Sequence, residues 1–509
     1  MIINNKALLK TFSHKLGNIS YKRKYKKNPD LFLSLKQLCQ QVNLDTNNFD
    51  ADINEKLERI VSQISRYGDR FTKDCVCVQL YDDSDDTMRK AINDGALVCI
   101  TNHKIEGIPC IVVENTYSVY ADMCSIYRDF YKIKSTVVLG SIGKTTAKKM
   151  VAAVYNQKFN TLYDTGNDNI LDSIGSISQH IPTSSEQFIA ELSEDTPGLI
   201  KEMSKIIKPD IAIITTIDKS HIQFYKSEEN IYNEFCTVTQ HMHKDGVCII
   251  SLDEQNSANL ITDKKVVFVS TQNKNADFLA QDIFVDTEGL KFNVVEKSTS
   301  KSFAVKLYNT FAIHNVTSAL YAFAAGMISG MKPYEIINGL ASYRPTGIRQ
   351  NIYKSKGIII YADCYNAVAK SVRSAINASC NIPITGKRVA VIGDVAEAGT
   401  YTQSTHDEIV DIINTSKVDF LFTCGKELKN ALSRNPVRND LHVLTFNNQK
   451  EMNKAIKKHL SKGDLVLFKS SHSGNLQKSI STIFPIQYFI QSIKYYTPRI
   501  KWHFKVILN

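Results

Sequence analysis

The stretch Thr136-Val-Val-Leu-Gly-Ser-Ile-Gly-Lys-Thr-Thr146 decides how this chain of 509 residues folds. Its first four residues predict a buried strand, and residues 147–156 predict a helix. A glycine turn between a strand and a helix presents backbone N–H groups that bind phosphate. Lys144 would reach the β- and γ-phosphates, and the Thr145 hydroxyl would bind Mg²⁺. The stretch therefore predicts an ATP site, although the turn has one residue fewer before Gly143 than the common motif.

The alternative is a glycine turn without a ligand. It does not account for a Lys-Thr pair placed between a strand and a helix. We expect the nucleotide to be bound by six residues of the turn: Gly140, Ser141, Gly143, Lys144, Thr145 and Thr146.

Length and composition indicate a globular protein of about three domains, because one hydrophobic core does not serve 509 residues. Hydrophobic residues make up 43% and charged residues 22% of the chain, and neither a signal-peptide pattern nor a membrane-spanning apolar run is seen. The 11 cysteines are scattered without a Cys-x-x-Cys pair. We therefore expect a cytoplasmic monomer with reduced cysteines.

The net charge of +11 is concentrated near the two ends of the chain. Residues 1–30 carry eight Lys and Arg against one Asp, and residues 465–509 carry six with no acid. The remainder is close to neutral, which argues against a basic groove for nucleic acid. Residues 480–507 mix these cations with aromatic side chains. Either the tails contact an anionic membrane surface or acidic partner, or the aromatic residues cover the last domain's core.

Strand and helix patterns indicate an α/β protein with a mostly parallel, helix-covered central sheet. The pattern restarts after residue 345 as a second, smaller Rossmann-like unit. The predicted divisions are a basic extension at 1–45, a small α/β unit at 46–133, a central unit at 134–345, a C-terminal unit at 346–480 and a basic aromatic tail at 481–509.

Two polar residues follow predicted buried strands of the central unit. Glu191 follows residues 188–190, and His221 comes soon after residues 211–214. A carboxylate at the carboxyl end of a strand in such a unit is placed to hold Mg²⁺, whereas the alternative is a solvated loop acid. For a lone histidine, a structural role is the alternative to metal binding.

In their order and spacing these features resemble the Mur ligase family, whose members form amide bonds with ATP in bacterial peptidoglycan precursor synthesis. The resemblance runs from about residue 60 to 480 and implies three domains, with a central ATPase domain and a Rossmann-like C-terminal domain. It implies that Glu191 and His221 bind metal. In the N-terminal unit, Ile64-Ser65-Arg66 resembles the start of the family's UDP-binding domain, so Ser65 and Arg66 are expected to bind substrate.

Three C-terminal stretches resemble the branch of the family that adds D-alanyl-D-alanine: residues 363–367, 393–399 and 463–472. By this resemblance Asp363 would bind the ribose, and Tyr365 would lie against the adenine.

Two further residues take roles from the family. Arg349 would reach the phosphates across the domain junction, and Asn315, in the family's His-Asn motif, would contact the nucleotide. The resemblance implies that ATP phosphorylates the carboxylate of a UDP-linked muramoyl-peptide, and that the amine of an amino acid or dipeptide then attacks the acyl-phosphate. Lys144, Mg²⁺ and Arg349 would neutralise charge, so the expected catalytic residues are Lys144, Glu191, His221 and Arg349.

The chain departs from the family where a carbamylated lysine would carry a second metal ligand. That position is Phe235, which cannot serve, and the neighbouring Glu234 is a candidate substitute. Three interpretations stay open: an ordinary member of the D-alanyl-D-alanine-adding branch, a paralogue with a different acceptor or amine, and a nucleotide-binding partner protein that has lost catalysis. Phe235 favours the last of these. Five intact motif residues argue against it: Lys144, Thr145, Glu191, His221 and Asp363.

Overall fold

The computed structural model describes residues 32–68, 71–164, 168–217, 222–254, 262–286, 288–345, 347–396, 399–471 and 473–488. Within these ranges the chain forms three successive α/β units, each built on its own sheet. The α/β class predicted from the sequence is confirmed, whereas the division points between domains stay predictions. No helix in the described ranges is both long and apolar enough to cross a membrane.

The N-terminal unit has a four-stranded parallel sheet in the order β1-β2-β3-β4. The strands are β1 Ile64–Ser65, β2 Val76–Val78, β3 Val98–Thr101 and β4 Cys110–Val112. The helices are α1 Leu35–Gln41, α2 Ala51–Asn54, α3 Asp85–Asn93 and α4 Thr116–Asp129.

Helix α1 corrects the prediction that residues 1–45 form an extension. Its apolar residues Leu35, Leu38 and Cys39 recur at helical spacing and are fully buried in the core of the N-terminal unit. Ser34 begins the helix with a capping box, in which its side chain and that of Gln37 each accept a backbone N–H of the other residue. Residues 1–31 lie outside the described part.

The central unit has a nine-stranded sheet in the order β13-β12-β11-β10-β9-β8-β5-β7-β6. Its strands are β5 Lys134–Leu139, β6 Thr161–Tyr163, β7 Gln187–Glu191, β8 Ile211–Ile214, β9 Val247–Ser251, β10 Lys265–Ser270, β11 Phe278–Val285, β12 Gly289–Glu296 and β13 Lys301–Tyr308. Its helices are α5 Lys144–Tyr155, α6 Leu171–Ser178, α7 Leu199–Ile207, α8 Ile222–Tyr225, α9 Glu228–Cys236, α10 Asn315–Ile328 and α11 Pro333–Ser342.

Strand β5 lies between β7 and β8 and is parallel to both. The carboxyl ends of the three strands therefore meet at one edge of the sheet, the usual ligand edge of an open parallel sheet. At the far side, β11, β12 and β13 pair antiparallel as a meander. The sequence prediction did not include this meander, so the central sheet is less uniformly parallel than expected.

The C-terminal unit has a six-stranded sheet in the order β14-β15-β19-β16-β17-β18, with β14 antiparallel at one edge. The strands are β14 Asn351–Ser355, β15 Ile358–Asp363, β16 Arg388–Ile392, β17 Phe420–Thr423, β18 His442–Thr445 and β19 Leu465–Lys469. The helices are α12 Ala369–Asn381, α13 Thr402–Asn414, α14 Lys426–Arg434, α15 Gln449–His459 and α16 Leu476–Ile483.

Two aromatic residues after α16 pack on the C-terminal core. Phe484 is buried, and Tyr488 packs against the same cluster of side chains. For these two residues the core-covering interpretation holds. Residues 489–509 are outside the described part, so membrane contact by the tails stays a prediction.

Candidate active site

The glycine turn is fixed against the end of β8. The Ser141 N–H donates to the Thr216 carbonyl at 2.7 Å. A Cβ on Gly140 would lie 2.2 Å from Thr215 Oγ1, and its φ of 129° is also unfavourable for other residues. Gly143 has free space around it but a φ of 92°, and it begins α5. Glycine is therefore required at the two positions for different reasons. At Gly140 the main reason is the close approach of Thr215, and at Gly143 it is the backbone conformation.

Thr145 and Glu191 meet at the edge where β5 and β7 end. The Thr145 hydroxyl lies 3.1 Å from Glu191 Oε1 and 3.0 Å from Oε2. The Asn169 amide also donates to Oε1, at 3.2 Å. Glu191 is the last residue of β7 and only 3% exposed, so it is not a solvated loop acid.

A buried lysine neutralises Glu191. Lys148 Nζ lies 3.0 Å from both Glu191 Oε2 and Asp164 Oδ2, and its side chain is fully buried. Burial lowers the pKa of Lys148, but the two carboxylates outweigh it and raise that pKa above its usual value. Burial raises the pKa of Glu191, but the charges of Lys148, Arg349 and Lys144 hold it below its usual value. We infer that Lys148 and Glu191 are ionised at neutral pH.

Lys144 has a carboxylate partner of its own. Its ammonium donates to the Gly140 carbonyl and, at 2.6 Å, to Glu194 Oε2. The Glu194 side chain is 1% exposed. We call Lys144, Lys148, Asp164, Glu191 and Glu194 the lysine–carboxylate cluster.

Thr146 has a partner outside the turn. Burial raises the pKa of the Tyr343 hydroxyl, which follows α11, and the nearby Thr146 side chain opposes that rise. The start of α5 therefore lies close to the end of the central unit.

Arg349, at the junction with the C-terminal unit, stacks on an aromatic ring and acts electrostatically on the lysine–carboxylate cluster. Its guanidinium carbon is 3.4 Å from the centroid of the Tyr365 ring, a stacked cation–π contact. Its charge also contributes to the lowered pKa of Glu191. Arg349 therefore links Tyr365 of one unit electrostatically to Glu191 of the other.

Asp363 ends β15 and is held by two donors. Lys469, its register partner at the end of β19, donates to Asp363 Oδ2 at 2.8 Å. The Gln350 backbone N–H donates to Oδ1 at 3.3 Å. Lys469 also donates to the Asn366 carbonyl at 2.7 Å, which fixes the loop that carries Tyr365.

Gln350 connects Asp363 to Asn315. The Asn315 amide donates to Gln350 Oε1 at 2.8 Å, and Gln350 Nε2 lies 2.8 Å from His314 Nε2. Burial lowers the pKa of His314 to about 4, so the ring is neutral at pH 7 and its Nε2 can accept from Gln350. Asn315 Oδ1 is buried and accepts no hydrogen bond from any part of the chain that the structure describes.

Ser65 and Arg66 lie together at the end of β1. The Ser65 hydroxyl donates to the Arg66 carbonyl at 2.7 Å. The Arg66 guanidinium makes two hydrogen bonds to Asp83, at 2.7 and 2.8 Å, and lies 4.9 Å from the centroid of the Tyr81 ring. Both residues are thus ordered within the N-terminal unit, and their contact with substrate stays a prediction.

Glu234 is wrong as a substitute metal ligand. Its two carboxylate oxygens accept the backbone N–H groups of Gly198 and Ile200, at 2.8 and 3.0 Å, at the start of α7. Burial raises its pKa despite these two bonds. The neighbouring Phe235 is fully buried. His221, the expected metal-site histidine, lies outside the described residues.

Sequence reasoning missed Lys148, Asp164, Glu194 and Gln350. Lys148 stands one helical turn after Lys144, and Asp164 directly follows β6, the strand beside β7. The rule that ligand-site residues follow parallel strands could have identified Asp164. No local pattern marks Gln350.

Comparisons with known proteins agree with this arrangement. The model of the Mur ligase middle domain matches residues 138–325, and that of the Mur ligase glutamate ligase domain matches residues 349–472. A UDP-N-acetylmuramoyl-tripeptide–D-alanyl-D-alanine ligase of Bacillus subtilis is 30% identical over 379 residues, 73% of this chain and 80% of that protein. The enzyme of the same name from Escherichia coli is 25% identical over 342 residues, 66% and 74% of the two chains.

Solved structures show the same fold. MurF from Acinetobacter baumannii superimposes with a TM-score of 0.76 at 20% identity, covering 89% of this chain and 98% of that one. MurF from Thermotoga maritima in complex with ADP gives a TM-score of 0.72 at 20% identity, covering 84% and 97%. The three-domain architecture expected from the sequence is confirmed, and the chain belongs to the Mur ligase family.

Proposed function

We propose that this protein is an ATP-dependent ligase that joins D-alanyl-D-alanine to a UDP-N-acetylmuramoyl-tripeptide. The similarity to the Bacillus subtilis enzyme of that name over most of both chains supports the proposal. The observation that carries it is the contact of Thr145 of the glycine turn and Lys148 of α5 with Glu191. The charge of Arg349, from the C-terminal junction, also lowers the pKa of Glu191.

The donor atoms beside the turn suit Mg²⁺. Thr145 and Glu191 offer oxygen ligands, and the Asn169 side chain adjoins them. In the described ranges no three His, Cys, Asp or Glu side chains converge to form a protein-only metal site. That pattern fits an ion that takes one or two carboxylates and completes its shell with water and phosphate oxygens. Bound there, Mg²⁺ would neutralise phosphate charge.

ATP is proposed to lie along the edge between the two units. Lys144 and the N–H groups of residues 140–146 would bind its phosphates. The Asp363 carboxylate would accept from the ribose hydroxyls, and Asn315 would face the base. Tyr365, already stacked on Arg349, would lie against the adenine, so one aromatic ring would order both the base and the arginine.

The reaction follows from these placements. A carboxylate oxygen of the peptide attacks the γ-phosphorus of ATP, ADP leaves, and an acyl-phosphate remains. The amine of D-alanyl-D-alanine then attacks the acyl carbon, loses a proton and expels phosphate, forming the amide. Lys144 and Arg349 would stabilise the charge that spreads over the transferred phosphoryl group, and the bound nucleotide and substrate would be held in line for the transfer.

Three further parts of the proposal concern the substrate and the protein's state. Ser65 and Arg66 would bind the UDP moiety at the end of β1, where the Asp83 ion pair orders the arginine. We also propose that the protein acts as a monomer. No disulfide bond joins any of the 11 cysteines, all of which lie in the described residues, and this suits the reducing cytoplasm that we propose as the compartment.

The test is product formation from purified components. The protein is incubated with Mg²⁺, ATP, UDP-MurNAc-tripeptide and D-alanyl-D-alanine, and UDP-MurNAc-pentapeptide, ADP and phosphate are measured by mass spectrometry and phosphate release. We expect one ADP per pentapeptide and no turnover when the tripeptide is omitted. Replacement of the dipeptide by L-alanyl-L-alanine is the matched control. Absence of pentapeptide with a folded, nucleotide-binding protein would contradict the proposal.

A further inference from the structure

The ammonium group of Lys144, which should bind phosphate, forms an ion pair with Glu194. Lys144 Nζ is 2.6 Å from Glu194 Oε2, and the two side chains are 13% and 1% exposed. Both lie at the ligand edge of the central sheet, next to Thr145 and Glu191. An ammonium in this position would have to exchange a carboxylate for a phosphate when nucleotide binds.

The backbone of Glu194 is anchored beside the turn. Its backbone carbonyl accepts from the hydroxyl of buried Tyr225 at 3.0 Å, which anchors the residue in the loop after β7. A carboxylate held at this place stays close to any phosphate that Lys144 binds. Two anions at one ammonium repel each other strongly where water is excluded.

The other lysine near the turn is already engaged, because Lys148 is shared between Asp164 and Glu191. The single ammonium of Lys144 therefore cannot neutralise both Glu194 and the phosphates beside it. A divalent ion that enters with the nucleotide supplies the additional positive charge.

We propose that Glu194 is a positioning residue that makes nucleotide binding depend on a divalent cation. It holds Lys144 while the site has no nucleotide and competes with metal-free ADP or ATP for its ammonium. With Mg²⁺ present the competition is relieved. The inference rests on the proposed nucleotide site. It adds that the site selects Mg²⁺-bound nucleotide over metal-free nucleotide.

Two other roles for Glu194 lead to different results. If the residue were itself a metal ligand, its removal would weaken binding in the presence of Mg²⁺. If the ion pair only stabilised the fold, its removal would lower thermal stability and leave binding in both conditions unchanged. Competition alone predicts tighter binding of the metal-free nucleotide.

The experiment is calorimetric titration of ADP into the full-length protein, once with MgCl₂ and once with EDTA. About 5 mM MgCl₂ is enough to saturate the nucleotide with metal. For Glu194→Gln we expect the dissociation constant in EDTA to fall at least tenfold, about 1.4 kcal/mol, and that in Mg²⁺ to change less than threefold. The matched control is Glu202→Gln on α7, another buried carboxylate without contact to Lys144 in the described structure. It should behave as wild type in both conditions.

Unchanged binding in EDTA, with or without weaker binding in Mg²⁺, would overturn the proposal. If Glu194→Gln does not fold, Glu194→Met keeps the side-chain length without charge and should show the same tenfold gain. Failure of the wild type to bind ADP even with Mg²⁺ would overturn the proposed nucleotide site, and this inference with it. Thermal unfolding of each variant verifies that the comparison is between folded proteins.

Discussion

Lys148 Nζ lies 3.0 Å from Glu191 Oε2, and both side chains are buried. Lys148 therefore joins the helix after the glycine turn to the strand that supplies the proposed metal ligand. It also neutralises Asp164, at the same distance. Removal of this one cation leaves two buried carboxylates without the ammonium that they share.

We expect Lys148→Met to be strongly destabilising, because breaking a buried ion pair costs about 3–5 kcal/mol. In a protein of 509 residues, where each kcal/mol shifts the thermal unfolding midpoint by about 1 °C, the midpoint should fall by roughly 3–5 °C in calorimetry. Lys149→Met, at the next and half-buried position of α5, is the control and should shift the midpoint by much less. Equal shifts in the two variants would show that Lys148 has no special role.

Lys144→Ala tests the phosphate-binding role directly. Loss of a charge that stabilises the transferring phosphoryl group should lower kcat about a thousandfold, or roughly 4 kcal/mol of barrier. The measurement is phosphate release with saturating ATP, tripeptide and dipeptide. Because the substitution also removes the ion pair with Glu194, circular dichroism and thermal unfolding must accompany it. Turnover within tenfold of wild type in a folded variant would contradict the assignment.

The parts of the site predicted from sequence are those that a contiguous motif encodes. Residues 140–146 bring strand, turn, lysine and helix together within a few positions, so local rules suffice. Glu191 could be found because it ends a buried strand that lies parallel to β5. The residues that complete the lysine–carboxylate cluster lie on separate elements, and only the packed sheet brings them together.

Tertiary contacts also explain the two wrong predictions. Glu234 was selected for its position in the sequence beside Phe235. However, α9 packs so that the Glu234 carboxylate accepts the backbone N–H groups at the start of α7. Residues 1–45 were predicted as one basic, polar extension with some helical pattern, because the cations of residues 1–30 dominate its composition, whereas Leu35 and Leu38 lie in a core helix. In both cases the tertiary contacts of individual side chains, which the local sequence does not reveal, determine the structural role of the segment.

Glu234→Gln separates a helix-capping role from a metal role. A glutamine retains one acceptor for the two N–H groups at the start of α7, so we expect a loss of about 1 kcal/mol of stability. The Mg²⁺ concentration for half-maximal activity should not change. Glu229→Gln, exposed on the same helix α9, is the control for stability. A several-fold higher Mg²⁺ requirement in Glu234→Gln would restore the metal hypothesis.

His314 should make stability depend on pH. Burial lowers the pKa of its ring to about 4 in the folded state, whereas the unfolded ring titrates near 6.5. Between these values the unfolded chain takes up a proton that the folded protein does not. Stability is therefore full above pH 6.5 and is lost as the pH falls towards 4, by about 1–3 kcal/mol.

The test is urea unfolding of wild type and His314→Gln at pH 7.5, 6.0 and 5.0. Glutamine can still accept from Gln350 Nε2 but does not titrate, so the fall in stability below pH 6.5 should be smaller in the variant by that amount. Identical pH profiles would show that the His314 ring is free to protonate in the folded protein.

Tyr365 should order Arg349 as well as bind nucleotide. The ring lies 3.4 Å from the guanidinium carbon, and such stacking contributes about 1 kcal/mol. Tyr365→Leu removes the aromatic face, so we expect kcat to fall about fivefold through Arg349 in addition to any rise in the KM for ATP. Tyr365→Phe keeps the face and loses only the hydroxyl, so its kcat should stay close to that of wild type. In an Arg349→Lys background, where the planar stack is already lost, Tyr365→Leu should no longer lower kcat. An undiminished effect of Tyr365→Leu in that background would show that the ring acts on the nucleotide alone.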